Sequence, residues 1–305
     1  MSIQDPRLAE APPETALAGS LPTAQEPGGL PTAREGLSPE LEGKHQALRA
    51  RLRSFGSAIT AFSGGIDSSL VAYLAHAELG PRALAVTSHS ESLTREDYDL
   101  TRALAAEWGM DYRSIRTQEL SHPRYRANPV NRCYYCKSTL YGELAALARS
   151  EGYAAILNGT NADDLGDHRP GLQAAEEFAV RSPLLECGFA KADIRDLAAH
   201  LGLRNAAKPQ AACLSSRVPY GVSISVPVLS QIERAEQLLK RLGFTQLRVR
   251  HHEQIARIEV PPEDFPRVLE QREAIERGLS ELGYRYVTLD LKGFRSGSLN
   301  EGLKK

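Results

Sequence analysis

The spacing of apolar residues changes several times along this chain, and each change predicts an element. Ser38-Pro39 reads as an N-cap with proline at the first helical position, opening a helix to about Phe55. Short apolar runs at 57–62, 83–87, 112–116 and 154–157 read as strands. Between them, helical spacing predicts helices from Ser68, over 94–107 and over 134–149, and a further one over Lys191 to His200, ended at Gly202. This alternation is the mark of a parallel sheet with helices on both faces, so the expected fold class is α/β with a doubly wound parallel sheet.

After Pro219 the pattern shifts. Residues 229–242 read as a helix, "TQLRVRHH" and "IARIEV" as strands joined by "EQ", 264–282 as a helix and 285–291 as a last strand, together a small α+β unit. The segment "APPETALAGSLPTAQEPGGLPTAREGLSPE" has no apolar periodicity and reads as a disordered tail. The organisation expected is therefore a tail over 1–40, a nucleotide domain over 41–224 that includes Cys213, and an α+β substrate and oligomerisation domain over 225–305.

Composition narrows the function classes. With 305 residues, 42% of them hydrophobic, the chain has room for an enzyme, and its formal net charge of −1 gives no global argument for nucleic acid or an anionic membrane. No signal peptide and no apolar run long enough to span a bilayer are evident, so the cytoplasm is the expected location. Four cysteines, Cys133, Cys136, Cys187 and Cys213, are too few to staple a chain of this length, and two form a C-x-x-C pair that suggests metal binding or chemistry.

The chemistry begins in "AITAFSGGIDSSLVAYL", where a strand turns into a helix through "SGGIDS". Such a turn lies at the carboxyl edge of a parallel sheet, where free helix N–H groups attract an anion. Gly64 and Gly65 permit close approach of a phosphate, Ser63, Ser68 and Ser69 add hydroxyls, and Asp67 is placed to hold magnesium. The spacing and the missing lysine separate it from the Walker loop. An ordinary glycine turn with a serine cap is the alternative. "NGTNADD" follows the strand ending at Leu157 and so lies on the same edge; Asp163 and Asp164 suit magnesium or a substrate group, although taken alone this is an Asx-rich turn.

The hexapeptide resembles the PP-loop of the ATP pyrophosphatase superfamily, whose members cleave ATP between its α- and β-phosphates and adenylate a substrate. "NPVNRCYYCKSTLY", "GTNADDLGDHRPG", "RSPLLE", "KPQAACLSSRVPYG", "RVRHHEQIARIEV" and "LDLKGFRSGSLN" extend the likeness from about Leu52 to Asn300. They resemble the ATP-dependent sulfur transferase family that makes the nickel-pincer nucleotide cofactor of lactate racemase. That resemblance implies a small-molecule substrate, pyridinium-3,5-biscarboxylic acid mononucleotide, whose carboxylates are adenylated and converted to thiocarboxylates, with ATP and magnesium as cofactors, a homo-oligomer and no nucleic-acid or membrane partner.

Cys213 falls on the family's sulfur-donating cysteine, with Lys208 and Arg217 placed to lower its pKa if they fold close. In that mechanism Cys213 attacks the acyl-adenylate, loses its sulfur and ends as dehydroalanine. Other members carry three cysteines that hold a four-iron cluster, and this sequence has Cys133, Cys136 and Cys213. The resemblance then implies a [4Fe–4S] cluster with one open iron carrying the donated sulfide. A zinc site built from all the cysteines, Cys187 included, is the alternative.

Arg248 and Arg250 alternate along one strand, and singly each reads as part of a solvated face; within the resemblance they and Arg169 become candidates for the substrate's phosphate or carboxylates. Glu233 and Glu236 also read first as solvated. The rival functions are an amide-forming synthetase, for which no glutaminase domain is present, and a tRNA thiolase, against which the balanced charge speaks.

Overall fold

A computed structural model describes residues 36–166, 170–209, 212–295 and 297–301. The expected tail lies outside them up to residue 35, and so does Arg169. Helix α1 (Pro39–Ser54) opens where the sequence places it, with Ser38 Oγ accepting from the Leu41 N–H at 3.2 Å. Then come β1 (Ala58–Ala61), α2 (Ile66–Leu79), β2 (Ala83–His89), α3 (Arg95–Glu107) and β3 (Asp111–Arg116). They are followed by α4 (Pro123–Arg126), α5 (Arg132–Glu151), β4 (Ala155–Leu157), α6 (Pro170–Glu177), α7 (Pro183–Glu186) and α8 (Lys191–His200).

The four strands form a parallel sheet in the order β3-β2-β1-β4. Side chains alternate across it with the period of a strand. Ile59, Leu84, Val86 and Ile156 pack against α5 and α6, whereas Ala58, Ala83, Ala85 and Leu157 face α1, α2, α3 and α8. Both faces are covered, which explains why these strands read as continuous apolar runs.

The remaining chain builds a smaller sheet. Helix α9 (Val226–Arg241) precedes β5 (Arg248–His252) and β6 (Ile255–Glu259), which pair antiparallel; α10 (Phe265–Glu270) and α11 (Arg272–Glu281) lead to β7 (Tyr286–Leu289), which pairs parallel with β6. A core of Tyr125, Leu214, Val218, Ile224, Leu229 and Ile232 joins α4, the Cys213 segment and α9.

Several boundaries differ from the sequence reading. Helix α2 starts at Ile66, two residues before Ser68, because Gly65 takes the extended N-cap conformation and Asp67 already lies in the first turn. Helix α5 starts at Arg132 rather than 134, which places Cys133 and Cys136 inside its first turns. The helix expected over 264–282 is interrupted at Gln271, whose φ of −97° and ψ of 12° separate α10 from α11. Helix α9 opens earlier, where Ser225 caps it through the Val228 N–H.

Candidate active site

Residues 63–68 wrap over the carboxyl end of β1 and deliver the chain into α2. Gly64 has a φ of +71°, a left-handed conformation that favours glycine. Ser63 and Ser68 hydroxyls lie 3.0 Å apart, and Ser68 Oγ donates to Gly65 O at 3.0 Å. The turn is locked from behind by Asn205, whose Nδ2 donates to Gly64 O at 3.1 Å and to Ser69 Oγ at 2.8 Å. Ser69 is thus fully buried and supports the loop, while Ser63, Gly65, Asp67 and Ser68 line a cavity of about 650 Å³.

The loop after β4 presses against this turn. A Cβ on Gly159 would lie 2.6 Å from Ser68 N and 2.8 Å from the Asp67 carbonyl carbon, so glycine alone allows the two loops to interlock. Asn158, Asn161, Asp163 and Asp164 line the same cavity. Lys191, at the start of α8, joins the pieces: its Nζ donates to Asp67 Oδ1 at 2.6 Å and its backbone N–H to Asp163 Oδ2 at 2.7 Å. The sequence reading marks Lys191 only as a helix start; its signal lay in a third segment that reaches this edge through folding alone.

Cys133, Cys136 and Cys213 line the same cavity. Cys136 lies beside Glu119, a buried carboxyl whose Oε1 accepts from Thr117 Oγ1 at 2.8 Å. Burial pushes the Cys136 thiol up, and the adjacent Glu119 carboxyl adds to that; burial likewise raises the pKa of Glu119 itself. Cys187 stands elsewhere, packed against the core between α1, α2 and α8.

Comparison with known proteins agrees with this layout. The asparagine synthase family pattern matches residues 45–211, the part that carries the phosphate loop. The pyridinium-3,5-bisthiocarboxylic acid mononucleotide synthase of Lactiplantibacillus plantarum is 41% identical over 263 residues, 86% of this chain and 95% of that protein. An uncharacterised protein of Synechocystis is 44% identical over 267 residues, covering 87% of this chain and all of its own length, and one of Methanocaldococcus jannaschii is 29% identical over 240 residues, 78% of this chain and 90% of its own. The chain belongs to the pyridinium-3,5-bisthiocarboxylic acid mononucleotide synthase family.

In this synthase-family chain the segment bearing Cys213 is gripped through its backbone by three arginines. Arg132 Nη1 donates to Ser215 O at 2.7 Å, Arg217 Nη1 to Cys213 O at 3.0 Å and Arg250 Nη1 to Ser216 O at 2.7 Å. Ser92 O also accepts from the Leu214 N–H at 2.9 Å, tying the segment to the chain after β2.

Several side chains sit differently from what the sequence suggests. Glu233 and Glu236 are buried: Glu233 accepts from the Arg95 N–H at 2.6 Å, and Glu236 makes a two-point pair with Arg217 at 2.9 and 3.1 Å. Burial opposes the Arg217 charge, and the Glu236 carboxylate more than offsets it. Arg250 is also buried, paired with Glu259 at 3.0 Å, and reaches the Cys213 segment rather than the cavity. Arg248 is buried beside it without an ion-pair partner among the described residues, its guanidinium 4.7 Å from the Phe294 ring centre; burial and the neighbouring Arg250 push its pKa down to about 10. Lys208 donates to Asp97 Oδ1 at 2.6 Å.

Among the described residues, no three His, Cys, Asp or Glu side chains converge on the position of a single metal ion. An iron–sulfur cluster makes a different demand, because its thiolates bind separate irons and need to surround a space instead of meeting at a point. Cys133, Cys136 and Cys213 all line the one cavity, with the buried Arg132 and the half-buried Lys137 beside them. Neither Arg132 nor Lys137 has an ion-pair partner among the described residues; Cys213, Cys133, Tyr125 and Tyr220 face Arg132, and Tyr141, the three cysteines and Glu119 face Lys137. Three thiols lining one cavity are a donor set of the chemical type that such a cluster takes. A zinc site of all the cysteines is not assembled, because Cys187 packs apart from the other three.

Proposed function

We propose that this chain uses ATP to adenylate a carboxylate of pyridinium-3,5-biscarboxylic acid mononucleotide and then exchanges an oxygen of that carboxylate for sulfur, toward the nickel-pincer cofactor of lactate racemase. The observation that supports this most is that the phosphate loop and three cysteines open into one cavity. Activation and sulfur delivery then occur without release of a labile acyl-adenylate.

ATP phosphates settle on the N-terminus of α2, held by the loop N–H groups and the hydroxyls of Ser63 and Ser68. Asp67, Asp163 and Asp164 would hold magnesium, which would offset phosphate charge. Lys191 stands within reach of the same phosphates and offsets the charge of departing pyrophosphate. The substrate carboxylate attacks the α-phosphorus: an O–P bond forms, the bond to the β-phosphate bridge breaks and pyrophosphate leaves. A sulfur nucleophile then adds to the acyl carbon and AMP departs with the former carboxylate oxygen. Neither Arg248 nor Arg250 lines the cavity, and Arg250 acts through the Cys213 segment.

Cys133, Cys136 and Cys213 would hold a [4Fe–4S] cluster, which would supply the sulfide. In that case Cys213 survives turnover. Without the cluster, Cys213 itself is the donor and ends as dehydroalanine. In this proposal the chain acts as a homo-oligomer, with residues 225–305 contributing to substrate binding.

The test is pyrophosphate release by the anaerobic protein. Release that requires the pyridinium dicarboxylate and falls sharply in Asp67→Asn supports the proposal; equal release without that substrate refutes it.

A further inference from the structure

The three thiols come from two segments distant in sequence, and one side chain spans them. Cys133 and Cys136 belong to the first turns of α5, whereas Cys213 precedes the 3-10 turn Leu214–Arg217. Arg132, the first residue of α5, is 3% exposed, and its Nη1 donates both to Ser215 O at 2.7 Å and to Asn128 Oδ1 at 2.8 Å. Its guanidinium also lies 5.9 Å from the Tyr220 ring centre.

The surroundings make this contact specific. Asn128 holds a φ of +52° and donates Nδ2 to the carbonyls of Pro219 and Val222 at 2.8 and 3.0 Å, so the acceptor that orients Arg132 is itself tied to the far end of the Cys213 segment. Tyr125 OH bonds Ser215 Oγ at 2.7 Å from the other side. A buried guanidinium bonded to carbonyls, with no carboxylate at ion-pair distance among the described residues, is costly on its own. Its bonds to the Ser215 carbonyl and Asn128 Oδ1 and its place beside the Tyr220 ring offset part of that cost.

We propose that Arg132 is the positioning residue of the three-thiol centre: it fixes the Cys213 segment against the start of α5, so that Cys213 faces Cys133 and Cys136. This inference rests on the reading that the three cysteines act together. Loss of a charge-assisted hydrogen bond in a buried setting corresponds to about tenfold or more in the population of the docked segment.

The experiment uses the full chain, metal-free, reduced and anaerobic, treated with the thiol cross-linker dibromobimane and read by peptide mass spectrometry. The Cys133–Cys136 link within α5 is the internal standard, and the links from Cys213 to either cysteine report docking. The wild type gives both kinds. Arg132→Gln retains the standard and loses the Cys213 links about tenfold, with Arg132→Lys reduced about threefold because it keeps the charge but not the fork.

A wild-type ratio in Arg132→Gln, or no Cys213 link in the wild type, overturns the assignment. If Arg132→Gln does not fold, Arg132→Lys decides, and an unchanged ratio there overturns it equally. Iron uptake on anaerobic reconstitution is measured in parallel. A wild type that takes up no iron, with the Cys213 links still lost in Arg132→Gln, rejects the cluster while upholding the role of Arg132.

Discussion

Replacing Gly159 by alanine tests whether the two loops of the nucleotide site form one interlocked surface. The added Cβ would stand 2.6 Å from Ser68 N, 2.8 Å from the Asp67 carbonyl carbon and 3.0 Å from Asp67 Cβ. Two of these three atoms are backbone at the start of α2, so no side chain can swing away to relieve the contact. Either the loop after β4 or the N-terminus of α2 has to shift, which as overpacking costs about 1–3 kcal/mol. The same shift moves the N–H groups that hold phosphate, and we expect ATP affinity to fall about tenfold or more, because those donors act only in register with the anion. Gly56→Ala is the control: Gly56 has a φ of +74° but nothing within 4 Å of a built Cβ, so it carries backbone strain of about 1 kcal/mol without touching the site. Urea unfolding gives stability, and calorimetric titration with a non-hydrolysable ATP analogue gives affinity. If Gly159→Ala binds the analogue as tightly as Gly56→Ala does, the interlocked phosphate site is refuted.

Other expectations follow from the same contacts. Asn205→Ala removes both bonds that lock the turn and should cost about 1–3 kcal/mol, measured by urea unfolding, with weaker ATP binding. Arg217→Met leaves the Glu236 carboxylate buried without its partner and should cost about 3–5 kcal/mol, read by thermal and urea unfolding; a change below about 1 kcal/mol would mean the pair contributes no net stability. His45 is buried and burial lowers its pKa, as it does for His251 and His252, so the folded state resists their protonation. Their stabilisation is complete above the unfolded-state value of about 6.5 and is lost as pH falls from there through the lower folded-state values. His45→Met should flatten the acid limb of a pH–stability curve, and an unchanged limb contradicts this assignment. Cys187→Ser should leave iron content as in the wild type, whereas Cys133→Ala should abolish it.

Much of the fold was legible because its signals are local. The alternation of apolar strands and amphipathic helices follows from side chains facing α5 on one side of the sheet and α2 on the other, and glycines and serines mark the phosphate turn directly. Boundaries failed where a non-helical signal masked a helix start: Gly65 precedes α2, and Pro129 and Asn131 precede α5. The site was legible in its loops and cysteines but not in its supports. Lys191, Asn205, Glu119 and Arg132 come from segments with no motif of their own, and only the folded chain brings each to its partner. The acidic residues of α9 show the converse. Spacing puts Glu233 and Glu236 on one face, but only tertiary packing reveals that this face is buried against Arg217 and the Arg95 N–H.

The most direct test of sulfur transfer is a single anaerobic incubation of the purified chain with ATP, magnesium and pyridinium-3,5-biscarboxylic acid mononucleotide, followed by high-resolution mass spectrometry of the small molecules and of the Cys213 peptide. The account predicts a product in which sulfur has replaced one or two carboxylate oxygens, formed together with AMP and pyrophosphate. With the cluster in place Cys213 remains intact, and without it Cys213 becomes dehydroalanine as product appears. An amidated product, or AMP formed without any sulfur in the pyridinium compound, would contradict it.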